Sequence, residues 1–195
     1  MCASYGLGGG PYTERDLSFE PFSDPANLAR LNEWARERKG SARITGRKAI
    51  NLNPVVRNGV LELAWWSIPR PSTGTAFNSR DDSLMRYWKP QFQHRALLPA
   101  TWYIEKSKRF GLDGQPFMIA AILDTIISDD TEYLAYSMVT RSAIGEASTA
   151  HDRMPLALPE NLHAEWLDPD RAGDAQLVKT VQAGSRDISE AMTVQ

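Results

Sequence analysis

Cysteine is almost absent from this chain: 195 residues contain one, at position 2. A single thiol excludes an intramolecular disulfide and a zinc ribbon, and makes a reducing, cytoplasmic setting the default expectation. Histidine is also scarce. His94, His151 and His163 are scattered, so no metal-ligand set and no cofactor is expected. No apolar run is long enough to span a bilayer, the longest being of the kind seen at Phe117 to Leu123, and no basic-then-apolar leader pattern opens the chain. Excess charge is lacking too, since the formal net charge is −2. That total alone gives no indication of nucleic acid, but the distribution is uneven. Arg36, Arg38, Lys39, Arg43, Arg47 and Lys48 crowd one stretch and Lys106, Lys108 and Arg109 another, while acids gather at Glu160, Glu165, Asp168, Asp170 and Asp174. A weakly acidic protein can still present a basic groove to phosphates, although such runs are equally the ordinary solvated faces of a globular domain.

What is present is a core. Hydrophobic residues make up 42% of the chain and include six tryptophans, enough for one substantial folded unit spanning 1–195. Asp24-Pro25 offers a helix N-cap followed by proline in the first turn, Gly40 a stop, and Leu28, Leu31, Trp34 and Ala35 recur at helical spacing between them. Residues 6–13 read as a flexible turn. Two β-like runs, 49–57 and 60–68, flank Asn58-Gly59, which predicts a hairpin. A loop covers 69–75 and a short helix about 82–89. Strands are expected at 95–105, 117–123 and 133–140, with 107–115 as a polar turn, and a further helical stretch runs from Pro159 through Trp166. Beyond Val181 the periodicity is weak and a loosely attached tail is expected. The sum is an α+β fold, strand-rich, with five to seven strands and three short helices.

The position of the lone cysteine carries chemical meaning. A residue this small at position 2 permits removal of Met1, which leaves Cys2 with a thiol and an α-amine on one residue. That amine has a reference pKa of about 7.7–8.0, so a useful fraction is neutral and nucleophilic at physiological pH. An aminothiol condenses with an aldehyde to an imine and then closes a five-membered thiazolidine. The alternative, a small buried hydrophobe that begins the chain, fits the cysteine alone equally well.

Further motifs follow in order. They are Asn51-Leu52-Asn53-Pro54, Trp66-Ser67-Ile68-Pro69, Phe77-Asn78-Ser79-Arg80, Pro99-Ala100 with Glu105 five residues on, and Ala150-His151-Asp152-Arg153-Met154-Pro155. Together with Met1-Cys2 this series resembles the SRAP family, the SOS-response-associated peptidases, whose patterns are Asn-x-x-Pro, Trp-Gly-x-x-Pro, Asn-Ala-Arg, Pro-Ala-x-x-aromatic-x-Glu and His-Asp-Arg-Met-Pro. The resemblance implies a barrel-like antiparallel fold and covalent capture of abasic sites in single-stranded DNA by a monomeric protein. It implies a shared pocket of Cys2, Asn78, Glu105 and His151. Glu105 would help open the abasic hemiacetal if burial raises its pKa, His151 would shuttle protons during imine formation, and Asn78 would hold a sugar hydroxyl or the amine. β-Elimination of the 3′ phosphate is the expected side reaction. A DNA-facing set is carried over from the same motifs: Arg80 as the best phosphate fork, Trp65, Trp66 or Pro69 as wedge, and Asn51, Pro54 and Arg153 beside them. A thiol peptidase pairing Cys2 with His151, or a non-catalytic DNA-binding module, would use the same residues differently.

The pattern is also broken. Met-Cys-Ala-Ser replaces the usual Met-Cys-Gly-Arg, so Ser4 stands where an arginine is expected. Arg80, Arg86 or Arg153 is then the candidate substitute. Lys106 replaces the tryptophan after the glutamate, and no Pro-Val-Ser-like stretch occurs near the end. The resemblance covers 1–158 and leaves 159–195 as a divergent region.

Overall fold

The computed structural model describes residues 4–7, 24–38, 43–46, 49–70 and 74–195. Cys2 and residues 8–13 of the expected glycine-rich turn lie outside them. In chain order the elements are β1 (Ser4–Gly6), α1 (Pro25–Glu37), β2 (Arg43–Thr45), β3 (Leu52–Arg57), β4 (Val60–Trp66), β5 (Ile68–Arg70), β6 (Gly74–Ala76), β7 (Asn78–Arg80) and α2 (Leu84–Tyr87). Then come β8 (Arg95–Ala100), β9 (Trp102–Glu105), β10 (Lys108–Gly111), β11 (Phe117–Ser128), β12 (Thr131–Ser142), β13 (Arg153–Pro155), β14 (Ala157–Leu158), α3 (His163–Leu167), α4 (Ala175–Gly184), α5 (Arg186–Glu190) and β15 (Thr193–Val194). No helix among them is long and apolar enough to cross a membrane.

Five strands close on themselves. β3 pairs with β4, β4 with β12, β12 with β11, β11 with β8, and β8 returns to β3 where Val56 faces Leu97. Every contact of this ring is antiparallel except β4 with β12, where Trp65 and Trp66 run parallel to Ala135 and Tyr136. Closure removes the sheet edges that would otherwise invite aggregation. The sequence supports it locally. Asn58 and Gly59 take φ of 52° and 73°, the left-handed pair that a tight hairpin needs, and Asp129 and Asp130 do the same between β11 and β12. One continuous face carries Ala64, Trp66, Ala96, Leu98, Ile119, Ala121, Tyr136 and Met138, all fully buried, small residues alternating with large ones.

A second sheet, ordered β15-β10-β9-β1-β2, stands beside the ring. The expected strand over 95–105 is therefore two strands in two sheets. The chain bends at Thr101, whose backbone amide donates to the Gly6 carbonyl at 2.8 Å. The polar turn expected over 107–115 also needs correction. Lys106 and Ser107, both at positive φ, make the turn, and Lys108–Gly111 is β10. Short strands of this kind have too few residues to show a period.

The end of the chain departs most from expectation. Beyond Val181 it is packed, with Ser185, Ser189 and Met192 buried and β15 paired to β10. The Asp174 side chain caps α4 by accepting from the Leu177 amide at 2.8 Å. Arg95 is buried and donates to the carbonyls of Phe92, Trp166, Asp168 and Arg171, which straps the α3 region to β8. Fifteen strands and five α-helices are present among the described residues, against five to seven and three expected.

Replacing Arg95 by Met should cost about 3 kcal/mol, because charged hydrogen bonds to several buried carbonyls are lost together. The check is a shifted urea midpoint with new protease sensitivity at 166–174. His163 gives a pH signature. Its Nε2–H donates to the Leu158 carbonyl at 3.0 Å, but burial pushes its pKa below the ordinary 6.5. A lowered histidine pKa means that this stability is fully present above pH 6.5 and is lost as pH falls through the folded value. His163→Gln should flatten that part of the stability–pH curve below neutrality.

Candidate functional site

The C-terminal half of β12 brings the motif residues together. On one edge it pairs in parallel with β7, placing Asn78, Ser79 and Arg80 beside Met138, Val139 and Thr140. On the other it pairs with β13, so that Thr140 faces Pro155 and Ser142 faces Arg153. Thr140 is therefore flanked by the Asn78–Arg80 strand on one side and the strand following His151 on the other.

A buried ion pair locks this arrangement. Arg153 and Asp81 are each only 4% exposed, and an Arg153 terminal nitrogen lies 2.7 Å from Asp81 Oδ1. The same guanidinium donates to the Thr140 carbonyl and to Ser142 Oγ. Asp81 Oδ1 also accepts from the Asp82 amide, and Oδ2 from Gln182 Nε2 of α4 at 2.7 Å. Asp81 follows Arg80 directly and shows no sequence feature beyond being one of two adjacent acids. Arg153 is thus held inside the scaffold, and its reading as a phosphate contact gives way to a structural one.

His151 is positioned by the same strand. The Arg153 amide donates to Nδ1 at 2.9 Å, which requires a lone pair there and leaves the proton on Nε2. Asp152 Oδ1 also lies 2.6 Å from Nδ1, a contact that would require a proton on that atom. The amide cannot give up its hydrogen and belongs to a buried strand, whereas the Asp152 side chain is largely exposed. Both contacts hold the ring through Nδ1.

A second cluster fixes β1, the first described strand. The Trp66 indole is fully buried and donates to the Phe77 carbonyl, one residue before Asn78, at 2.6 Å. Tyr5 packs edge-on against Trp66 at 5.1 Å and Tyr136 stacks on it at 6.0 Å. The Tyr5 and Tyr136 hydroxyls bond at 2.8 Å. β1 also lies against β9, with Ser4 opposite Ile104, so that it begins beside Glu105, which is 7% exposed. Arg43, exposed on β2, reaches Ser4 Oγ with Nε at 2.9 Å, bringing a guanidinium to the position where arginine is usual.

The DNA-facing set divides by burial. Trp65, Trp66, Asn51 and Pro54 are buried, with Asn51 Nδ2 donating to the Thr45 carbonyl. Only Arg80 and Pro69 are exposed, and Arg80 forks onto Asp82 through Nε at 3.0 Å and a terminal nitrogen at 2.6 Å. The Trp66 wedge is corrected to a core role, since its one polar atom is already bonded.

The SOS response associated peptidase (SRAP) family matches residues 55–195. The chain belongs to the SRAP family. The match includes the closing segment 159–195 and begins after Asn51–Pro54. The abasic site processing protein YedK of Escherichia coli K12 is 30% identical over 121 residues, which cover 56% of this chain and 52% of YedK. The chain thus spans about half the length of this curated relative. Among solved structures, a Bacteroides thetaiotaomicron protein superposes with a TM-score of 0.64 at 14% identity, covering 92% of this chain and 86% of that one. A phage-related protein of Bordetella bronchiseptica superposes with 0.61 at 18% identity, covering 100% and 93%. Both show the shared fold.

Asp81→Leu or Arg153→Met alone should cost this SRAP domain about 3–5 kcal/mol by leaving a buried charge uncompensated, and the double variant should recover part of that loss. Chemical denaturation of the three variants checks the cycle.

Proposed function

We propose that this SRAP protein processes abasic sites in single-stranded DNA by covalent capture through Cys2. The observation that carries the reading is that three motif segments are tied to one frame. β7 with Asn78 and the His151 segment flank one strand, and β1 is stacked on the tryptophan that holds Phe77. Ser4 lies opposite Ile104 on β9, the strand that ends at Glu105, and Cys2 precedes Ser4 by two residues, a length of chain of at most about 7 Å. The likeness to a relative described as an abasic site processing protein points the same way.

The chemistry needs no outside reagent. The Cys2 amine adds to the C1′ aldehyde, water leaves, and an imine forms. The thiol sulfur then bonds to that carbon while its proton passes to nitrogen, closing a thiazolidine. Glu105 exchanges the proton that opens the hemiacetal, His151 serves proton transfers through Nε2, and Asn78 holds the sugar. Arg43 and Arg80 supply the cations for flanking phosphates. β-Elimination from the imine is the competing branch that ring closure suppresses.

The test is incubation with an abasic single-stranded oligonucleotide followed by denaturing electrophoresis. Wild-type protein should give a shifted band, whereas Cys2→Ala or an uncleaved N-terminal tag should abolish it. No band from wild-type protein, or a band that survives Cys2→Ala, refutes the proposal. Cys2-dependent cleavage of an added peptide without any DNA adduct would favour the peptidase reading.

A further inference from the structure

The segment from Arg80 to Lys89 ends in a mounted, exposed aromatic ring that the chemistry above leaves unused. Among the described residues Tyr87 is the only aromatic side chain more than half exposed, at 54%. Its backbone, by contrast, is firmly held. A terminal nitrogen of Arg70 donates to the Tyr87 carbonyl at 2.6 Å, and that same guanidinium lies 3.7 Å over the buried Trp88 ring. On the far side of Trp88, its carbonyl accepts from the Phe92 amide at 2.7 Å. Rigid backbone under an exposed ring is the construction of a contact surface. A stacked partner would lose little further protein entropy on binding it.

The charges beside the ring have one sign. The Arg86 guanidinium lies 4.8 Å from the Tyr87 ring centre, Lys89 is exposed two residues on, and Arg70 is partly exposed beneath. Between Leu63 and Ile104 the only acids are Asp81 and Asp82, both already bonded to arginine. Asp174 lines the shallow groove next to Met85 and Lys89, but its carboxylate is taken by Arg171 and the Leu177 amide. An exposed ring with flanking cations, where the described acids of its own segment and of the adjoining groove are bonded to arginine, matches what an unpaired nucleotide offers, a flat base and a phosphate.

We infer that Tyr87 is a base-stacking platform for single-stranded DNA flanking the reacting site, with Arg86 and Lys89 as its phosphate contacts. This inference rests on the reading of the protein as a processor of single-stranded DNA. The 3-10 turn Asp81–Ser83 and α2 together rise roughly 12 Å from Arg80 to Tyr87, so the platform engages bases beyond the lesion and takes no part in the chemistry.

The experiment measures anisotropy of a labelled, undamaged oligothymidine, alongside crosslinking of an abasic oligonucleotide at saturating protein. Tyr87→Ala should weaken oligothymidine binding about five-fold to a hundred-fold, and Tyr87→Trp should restore it. Arg86→Ala with Lys89→Ala should lower the salt slope of log K by about 0.7 per charge removed. Crosslinking at saturation should be unchanged in Tyr87→Ala, whose melting temperature serves as the folding control. Wild-type affinity in Tyr87→Ala, with crosslinking intact, overturns the platform and leaves the proposed function standing. Loss of crosslinking in wild-type protein overturns the proposed function, while a Tyr87-dependent oligothymidine affinity would still support the platform.

Discussion

The arrangement of the candidate site depends on one buried charge pair. Asp81 and Arg153 come from segments 72 residues apart, and their contact joins the end of β7, the β12 backbone at Thr140, the strand after His151 and, through Gln182, helix α4. A pair taken so fully out of water gains little net stability over a hydrophobic substitute. What it supplies is geometry. Each oxygen and each terminal nitrogen has a direction to satisfy, so β7 and β13 are set at one height along β12. Asn78 lies three residues before Asp81 and His151 two before Arg153, so the pair anchors both segments.

Around the pair, the closed ring of β3, β4, β12, β11 and β8 gives β12 a rigid frame, and the outer sheet gathers both ends of the described chain. β1 enters at one side of β9, while β15 is held through β10 on the other. The Trp66 cluster connects the two layers. It is core packing in the ordinary sense, yet its members include Phe77, which adjoins Asn78, and Tyr5, on the strand that begins beside Glu105. A substitution there, such as Tyr136→Phe, would remove the hydroxyl partner of Tyr5 and loosen β1 without touching any reacting group.

How much of this was legible in the sequence varies with the kind of signal. The α1 helix and the β3–β4 hairpin follow from local rules, a cap at Asp24 and a left-handed pair at Asn58-Gly59, and both are present as expected. The strand-rich α+β class and the family were legible from ordered motifs. Partnerships were not. Nothing local says that Arg153, inside the most specific motif, faces inward to Asp81, or that Arg43 reaches the hydroxyl of Ser4. The packed C-terminal segment was missed because its anchors are Ser185 and Ser189, small polar residues bonded to Arg141, which carry no hydrophobic period. Thr101 divides one apolar run into two sheets, and only long-range pairing shows that.

The central claim is that Cys2 joins the abasic aldehyde through both its amine and its thiol. Peptide-level mass spectrometry of the protein–DNA adduct tests this most directly, after nuclease trimming and treatment with borohydride. The account predicts an N-terminal peptide that begins at Cys2, carries the sugar remnant with the loss of one water, and has no thiol left to alkylate. An adduct on a lysine, an adduct reduced by borohydride with a free Cys2 thiol, or a peptide that retains Met1 would contradict it.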